Sequence, residues 1–479
     1  MMTRKPRGAM MDELHYATIT QLAGEIAAQR VSSVDVTEAL LARIATADER
    51  LRAFSNVLAS GARAQAAAAD QEIAAGRYRG PLHGVPVAVK DLCDVAGAAT
   101  VGGCAVLADN MATGDSTVVK RLAQAGAVLL GKLNLTEGAM AGYNPAMAVP
   151  ENPWREAHWP GASSSGSGAA TAAGLAFGTL GSDTGGSIRH PAAACGTVGL
   201  KPTWGLVSRY GVLDLAQSLD HIGPLTRSAR DAGVMLQAIA GPDVNDPTTL
   251  PGPVPNVLAE IGASADGLRI GWDERFASDD LSPDFASRVA DGMRVLEGLG
   301  ASIVPVRVPT RLREYLAAWQ VLCTSEAYAA HRDFYPARAD EYGPWFREWL
   351  RLGSQYSAAD YADAHHLRLQ CAGAFHALLE PLDAFLCPTT AGEAYAMPLD
   401  LAYGPISSDR DPWQSRFTVP MDYAGVPTLA LPCGLSDSGL PLSMQLVGKR
   451  CSEARLVRLG DAFEGVTTWH ELHPPQWWL

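Results

Sequence analysis

Between residues 161 and 205 the chain is crowded with glycines and small hydroxyl residues, as in Gly161-Ala-Ser-Ser-Ser-Gly-Ser167 and Gly181-Ser-Asp-Thr-Gly-Gly-Ser-Ile-Arg189. These residues are interleaved with alanine and apolar side chains. A flexible glycine–serine tether lacks that apolar content, so the stretch reads as closely packed backbone and not as a linker. It constrains the fold more than any other segment. The rest of the 479-residue chain is long enough to bury most of its apolar surface without a disulfide or a metal.

The flanking segments alternate between helical and extended patterns. Residues 18–75 are alanine-rich with apolar positions at helical spacing (Val36, Leu40, Leu41, Ile44), which predicts two or three helices. One of them enters after Ser33, with Asp35 in its first turn. Residues 85–89 form a short β-rich run that ends at Lys90-Asp91, and residues 127–130 form a second after the amphipathic segment 116–125. Strands are also expected at 268–270 and 302–304, flanking a helix over 285–299, and at 429–432 and 444–447. Residues 244–265 are Pro-rich and polar and read as a surface connection. Strand–helix–strand alternation implies an α/β fold: a single α/β/α domain on a mixed, mostly parallel twisted sheet with flanking helices. No internal repeat or domain boundary is visible, so the expected division is an N-terminal tail over 1–11 and one domain over 12–479.

Charge and cysteine usage narrow the function classes. The net charge of −13 argues against nucleic acid or an anionic membrane as the main partner. Eight scattered cysteines without a C-x-x-C suit reduced thiols in a cytosol. There is no signal-peptide core after the basic N-terminus and no apolar run long enough to span a membrane. The expectation is a cytoplasmic protein, monomeric or homodimeric.

Several common signatures fail. Gly126-x4-Gly131-Lys132 imitates a phosphate loop, but Leu133 replaces the hydroxyl residue. There is no G-x-S-x-G elbow. His365 and His366 are adjacent, not one helical turn apart, so no catalytic metal or other cofactor is expected. What remains is one lysine and two serine-rich turns. Paired glycines before Ser187 let backbone N–H groups converge on one spot, as binding an oxyanion requires. Lys90, at the end of an apolar strand, is expected to be desolvated and so to favour the neutral amine. A neutral lysine can deprotonate a serine directly or through an intervening hydroxyl.

Lys90 and the two turns together resemble the amidase signature family, which includes fatty acid amide hydrolase and the glutaminase component of glutamyl-tRNA amidotransferase. The resemblance runs on through Leu82-His-Gly-Val-Pro-Val-Ala-Val-Lys-Asp91, Gly199-Leu-Lys-Pro-Thr-Trp-Gly205, Ser218-Leu-Asp-His-Ile-Gly-Pro224 and Gly439-Leu-Pro-Leu442. It implies a serine hydrolase that cleaves carboxamide C–N bonds with a Ser-cisSer-Lys triad. By motif, Ser187 is the nucleophile, Ser163 the bridging serine after a cis peptide bond, and Lys90 the base. Backbone N–H groups of Thr184, Gly185, Gly186 and Ser187 would form the oxyanion hole. Ala162 and Ser165 stand where the family pattern most often has glycine.

Other residues carry plainer expectations. Without the serine turns, Lys90 would be read as a solvated strand cap. Ser164, Ser165 and Ser167 read as turn hydroxyls satisfying nearby backbone. Asp183 and Arg189 are expected to brace the nucleophile turn. Met140 lines the pocket only by resemblance, and Cys323 reads as a buried inert thiol. The Trp477-Trp478 tail is either packing or an oligomer contact. The expected partner is a small amide-type substrate with an aromatic or bulky apolar group, shaped by loops over 311–361 and 399–413. By resemblance the substrate range extends to anilides, carbamates and esters. The alternative is the glutaminase component of a tRNA-dependent amidotransferase. That component places an aspartate where this chain has Ser415, which favours a stand-alone amidase.

Overall fold

The computed structural model describes residues 14–405 and 412–479. The tail expected over 1–11 lies outside them. Eleven strands form one sheet: β1 (Phe54–Val57), β2 (Pro86–Lys90), β3 (Val128–Leu133), β4 (Gly178–Asp183), β5 (Val198–Lys201), β6 (His221–Thr226), β7 (Arg269–Trp272), β8 (Ser302–Pro305), β9 (Ala384–Pro388), β10 (Thr428–Leu435) and β11 (Pro441–Val447). Their order is β1-β3-β2-β4-β6-β5-β10-β11-β9-β7-β8.

The sheet is mixed and flanked by helices, as an α/β chain requires, but its balance differs from the mostly parallel pattern expected. Parallel pairs occur in two blocks, β3-β2-β4 and β9-β7-β8. Every pairing from β4 through β6, β5, β10 and β11 to β9 is antiparallel. The connections explain this. A helix crosses over between β2 and β3 (Thr117–Gln124) and between β7 and β8 (Pro283–Gly298), which parallel neighbours need. Only a tight turn joins β10 to β11, so they pair as a hairpin. Every residue of β2, β3, β4, β6 and β11 is buried. Successive side chains point to opposite faces, so both faces of the central sheet are covered.

Three helices form at the N-terminal end (Ile19–Ala27, Ser33–Leu51 and Ala59–Ala74), with the unforeseen strand β1 between the last two. The second helix starts at Ser33, and Ser32 is its cap, accepting the Asp35 N–H at 2.9 Å. The strand expected at 85–89 runs over β2 and ends on Lys90. Lys132 lies inside β3 with its Nζ 2.6 Å from Asp91 Oδ1 and 2.7 Å from Thr100 Oγ1, fully buried. Among the described residues all eight cysteines are free, and only Cys451 is exposed. No helix among them is long and apolar enough to cross a membrane. The C-terminal tryptophans pack on their own chain: Trp478 is buried, and Trp477 donates its indole N–H to Pro153 O at 3.0 Å.

The glycine–serine stretch is close-packed backbone. The helix Ser165–Ala172 buries all eight of its residues, and their small side chains let it lie directly on β4. Ser164 Oγ donates to Ser182 O (3.2 Å) and Ser167 Oγ to Leu180 O (3.0 Å), stitching helix to strand. A Cβ on Gly166 would come within 2.4 Å of Ala53 O and 2.6 Å of Asn134 O. Gly161 combines a positive φ of 85° with an equally close approach, 2.2 Å, to Pro191 Cα. Gly166→Ala should therefore destabilise the protein by about 1–3 kcal/mol, read as a lower urea midpoint at unchanged m-value. An unchanged midpoint would show that this backbone has room to give.

Candidate active site

Three elements bring the lysine and the serines together. β2 ends on Lys90, β4 passes beside it, and the Ser163 turn closes over both. Lys90 Nζ lies 2.7 Å from Ser163 Oγ and 2.9 Å from Ser182 Oγ, with Lys90 only 1% exposed. The Ala162–Ser163 peptide bond is cis. Burial lowers the Lys90 pKa to about 7, against the opposing pull of the Asp220 and Asp183 carboxylates. Ser182, the lysine's second partner, was not singled out in the sequence. The sequence carried no signal for it, because its side chain reaches Lys90 only through the pairing of β4 with β2.

The turn from Asp183 to Ser187 is held peptide by peptide. His221 Nδ1 lies 3.1 Å from Asp183 O. Trp319 Nε1 donates to Thr184 O (2.9 Å), and Thr418 Oγ1 donates to Gly185 O (2.7 Å). The His190 N–H donates to Gly186 O (2.6 Å), and the Ser164 N–H to Ser187 O (3.3 Å). In a trans peptide the carbonyl and the following N–H point in opposite directions. Fixing each carbonyl therefore aims the next N–H. The Asp183 carboxylate takes two of them, from Gly186 (2.6 Å) and Ile188 (3.0 Å). The Gly186 N–H, expected among four oxyanion donors, is thus already engaged. Among the described residues, nothing accepts the N–H groups of Thr184, Gly185 and Ser187.

Ser187 sits at the floor of a cavity of about 510 Å³. Thr184, Gly185, Ala162 and His190 share that floor, and the walls include Met140, Trp159, Trp319, Trp345, Tyr395 and Met397. Met140 therefore lines the cavity, whereas Lys90 and Ser163 lie behind it, out of solvent. The segment over 311–361, expected as a loop, is largely helical (Leu312–His331 and Pro344–Gly353 among its helices), and these two helices contribute Trp319 and Trp345. The described part of 399–413 contributes Leu401 and Ala402, and Ser415 also reaches the wall. Trp159 and Tyr395 stack with centroids 5.2 Å apart. Cys323 stays outside the cavity, a buried thiol whose pKa is pushed up by burial.

Behind the turn, Arg189 has no exposure and binds two carboxylates. Its Nε and Nη2 each lie 3.0 Å from Asp183, and Nη2 lies 2.6 Å from Asp422 Oδ2. Burial alone would raise the Asp183 pKa, but the charge and hydrogen bonds of Arg189 overcome it and hold the carboxyl well below its usual range. Asp422 goes the other way, raised by burial and by the neighbouring Asp183 charge. Asp220 accepts the Thr184 hydroxyl at 2.5 Å and is raised by burial to about 7. Asp183→Asn should then cost about 3–5 kcal/mol, because it breaks the buried ion pair with Arg189 and takes away the carboxylate on which the N–H groups of the turn converge. Asp422→Asn should cost about 1 kcal/mol. Urea unfolding of the two variants checks the order; Asp422 as the costlier loss would place the charge that balances Arg189 on the wrong carboxylate.

Comparison with known proteins agrees with this architecture along nearly the whole chain. The chain is 40% identical over 467 residues to the protein AmiD of Mycobacterium tuberculosis (strain ATCC 25618 / H37Rv), covering 97% of both chains. It is 37% identical over 495 residues to a component of the glutamyl-tRNA(Gln) amidotransferase of Chloroflexus aurantiacus (strain ATCC 29366 / DSM 635 / J-10-fl), covering 97% of this chain and 99% of that one. Among solved structures, the native peptide amidase of Stenotrophomonas maltophilia superposes with a TM-score of 0.82 at 32% identity. That match covers 94% of this chain and 96% of the other. The sequence model of the Amidase family matches residues 35–457, and the chain belongs to that family of amide-hydrolysing enzymes.

Proposed function

We propose that the protein hydrolyses small carboxamides through an acyl-enzyme on Ser187, with Ser163 as proton relay and Lys90 as base. One observation carries this reading: a fully buried lysine amine 2.7 Å from the hydroxyl of Ser163, with a pKa lowered to about 7 by burial. At neutral pH a large fraction of that amine is uncharged. Its lone pair can accept the Ser163 proton while Ser163 takes the proton of Ser187. The Ser187 oxygen attacks the amide carbon, and the carbonyl oxygen becomes an anion facing the unengaged N–H groups of the turn. Ser163 then returns a proton to the nitrogen as the C–N bond breaks, releasing the amine. Water enters by the same relay, cleaves the ester on Ser187 and releases the carboxylate.

The cavity supports an aromatic or bulky apolar group on the substrate. Its volume suits a small molecule, and its walls place a stacked Trp159–Tyr395 pair near Trp345 and Met397. The likeness to a peptide amidase supports amide substrates, and anilides, carbamates and aryl esters belong in the same screen. The glutaminase alternative draws on the amidotransferase relatives. Against it, Ser415 puts a hydroxyl on the cavity wall where that reading needs a carboxylate to hold the glutamine ammonium group. A free hydrolase is the better fit.

Four outcomes test the proposal. Ser187→Ala should reduce kcat by several powers of ten with the fold intact by circular dichroism; activity within about tenfold of wild type removes Ser187 from the chemistry. The base must be unprotonated to act, so kcat should fall as pH drops through about 7 and level off above it. A profile flat from pH 6 to 9 with chemistry rate-limiting contradicts a lysine base. Lys90→Arg should be nearly inactive at every pH in that range, because a guanidinium does not give up its proton. Glutamine turning over faster than any anilide or aryl amide in the screen would favour the glutaminase reading.

A further inference from the structure

Of the peptide groups in the turn, the one between Thr184 and Gly185 is held in an unusual way. The carbonyls of Gly186 and Ser187 are bound by backbone N–H groups close by, and that of Gly185 by the buried Thr418 hydroxyl. The Thr184 carbonyl takes its hydrogen bond from the Trp319 indole, a side chain that, unlike Thr418, itself forms part of the cavity wall. The indole also lies close against the next residue: a Cβ on Gly185 would come within 2.7 Å of Trp319 Cζ2.

We propose that Trp319 is a positioning residue for the reaction described above, and that it aims the Gly185 N–H at the developing oxyanion. This role presupposes Ser187 as the nucleophile. Holding Thr184 O on the indole side turns the Gly185 N–H to the opposite side of the peptide plane, where nothing else among the described residues accepts it. Without the indole N–H this peptide has little to resist rotation, because Gly185 can adopt backbone conformations closed to other residues. A rotated peptide would present a carbonyl oxygen where a donor is needed.

The helix that carries Trp319, Leu312–His331, is fixed well enough to act as a reference. Trp319 and Glu326 lie two turns apart and so share one face. Glu326 accepts both the N–H (2.8 Å) and the hydroxyl (2.6 Å) of Ser218. Two residues on from Ser218, Asp220 holds the Thr184 hydroxyl. Trp349 backs the indole at 5.9 Å between ring centroids. The helix thus grips both segments that meet at Thr184.

The test compares wild type with Trp319→Phe and with β-(3-benzothienyl)alanine at position 319, which keeps the two-ring shape and lacks the N–H. For the best amide substrate, above pH 8, kcat should fall roughly ten- to a hundredfold in both variants with KM within about threefold. Inhibition by benzeneboronic acid, whose serine adduct mimics the oxyanion, should weaken in parallel. A residue that only shapes the wall would raise KM and leave kcat and boronate binding alone. Variants with kcat within about threefold of wild type overturn the inference. Wild-type protein that neither turns over amides nor reacts with phenylmethylsulfonyl fluoride at Ser187 overturns the underlying reading instead, so the two failures are distinguishable.

Discussion

A carboxylate without access to solvent has to find all its partners inside the protein, and Asp183 finds them in the six residues that follow it. Three backbone N–H groups, of Gly186, Ile188 and Arg189, and the Arg189 guanidinium converge on its two oxygens. Ionised and buried, it can be stable only if those contacts stay made. The chain from Gly186 to Arg189 is therefore curled tightly around one charge. Ser187 is carried at the crest of that curl, facing the cavity, and the helix that begins at Arg189 leaves from its far side. The remaining site geometry follows from this fixed point.

The same burial logic separates the proposed base from the proposed nucleophile. Lys90 and Ser163 are sealed behind the turn, where desolvation lowers the lysine pKa and keeps water from competing for its lone pair. Ser187, Gly185 and His190 stay partly open to the cavity. Placing a neutral amine in a dry interior and an alcohol at a wet surface demands a connector, and the Ser163 hydroxyl stands at the lysine's end of that path. Lys132, only one strand over, shows the contrast. It is equally buried, but Asp91 lies 2.6 Å away, and its other partners are the Thr100 hydroxyl and the Ala99 carbonyl. Its amine is committed to a carboxylate, and no serine hydroxyl stands among those partners.

The cavity is built by a different part of the chain from the turn it serves. Its floor comes from the two serine turns, at Ala162, Thr184, Gly185, Ser187 and His190, which are packed against the sheet. Its walls come largely from the segments 136–143, 390–402 and 414–415, joined by Trp159, Trp319 and Trp345. Rigid floor and separate walls let one chemistry be paired with different side chains around the substrate. Trp319 crosses that division, since it is a wall residue whose N–H reaches the floor.

The residues proposed to react were marked out in the amino-acid order because the pattern that carries them is local: glycines that permit a tight turn, serines beside them, a lysine that ends an apolar run. The strands of the periodic flanking segments were legible for the same reason, as was the packed character of the glycine–serine stretch. β4, β5, β6 and β9 were not, because buried strands such as Gly178–Asp183 have both faces covered and show no alternation. Nor did composition reveal that antiparallel pairing dominates the middle of the sheet, since pairing direction depends on how distant segments meet. Asp220, His221, Thr418, Asp422 and Trp319 escaped notice as supports of the turn for the same reason. By itself the sequence determined which groups could react, because reactivity resides in residue type and its immediate neighbours. Only the tertiary structure decided which of those groups lose water, which N–H groups are spent on Asp183 and which stay open to a substrate, because burial and hydrogen-bond partnership belong to the space that remote segments enclose together.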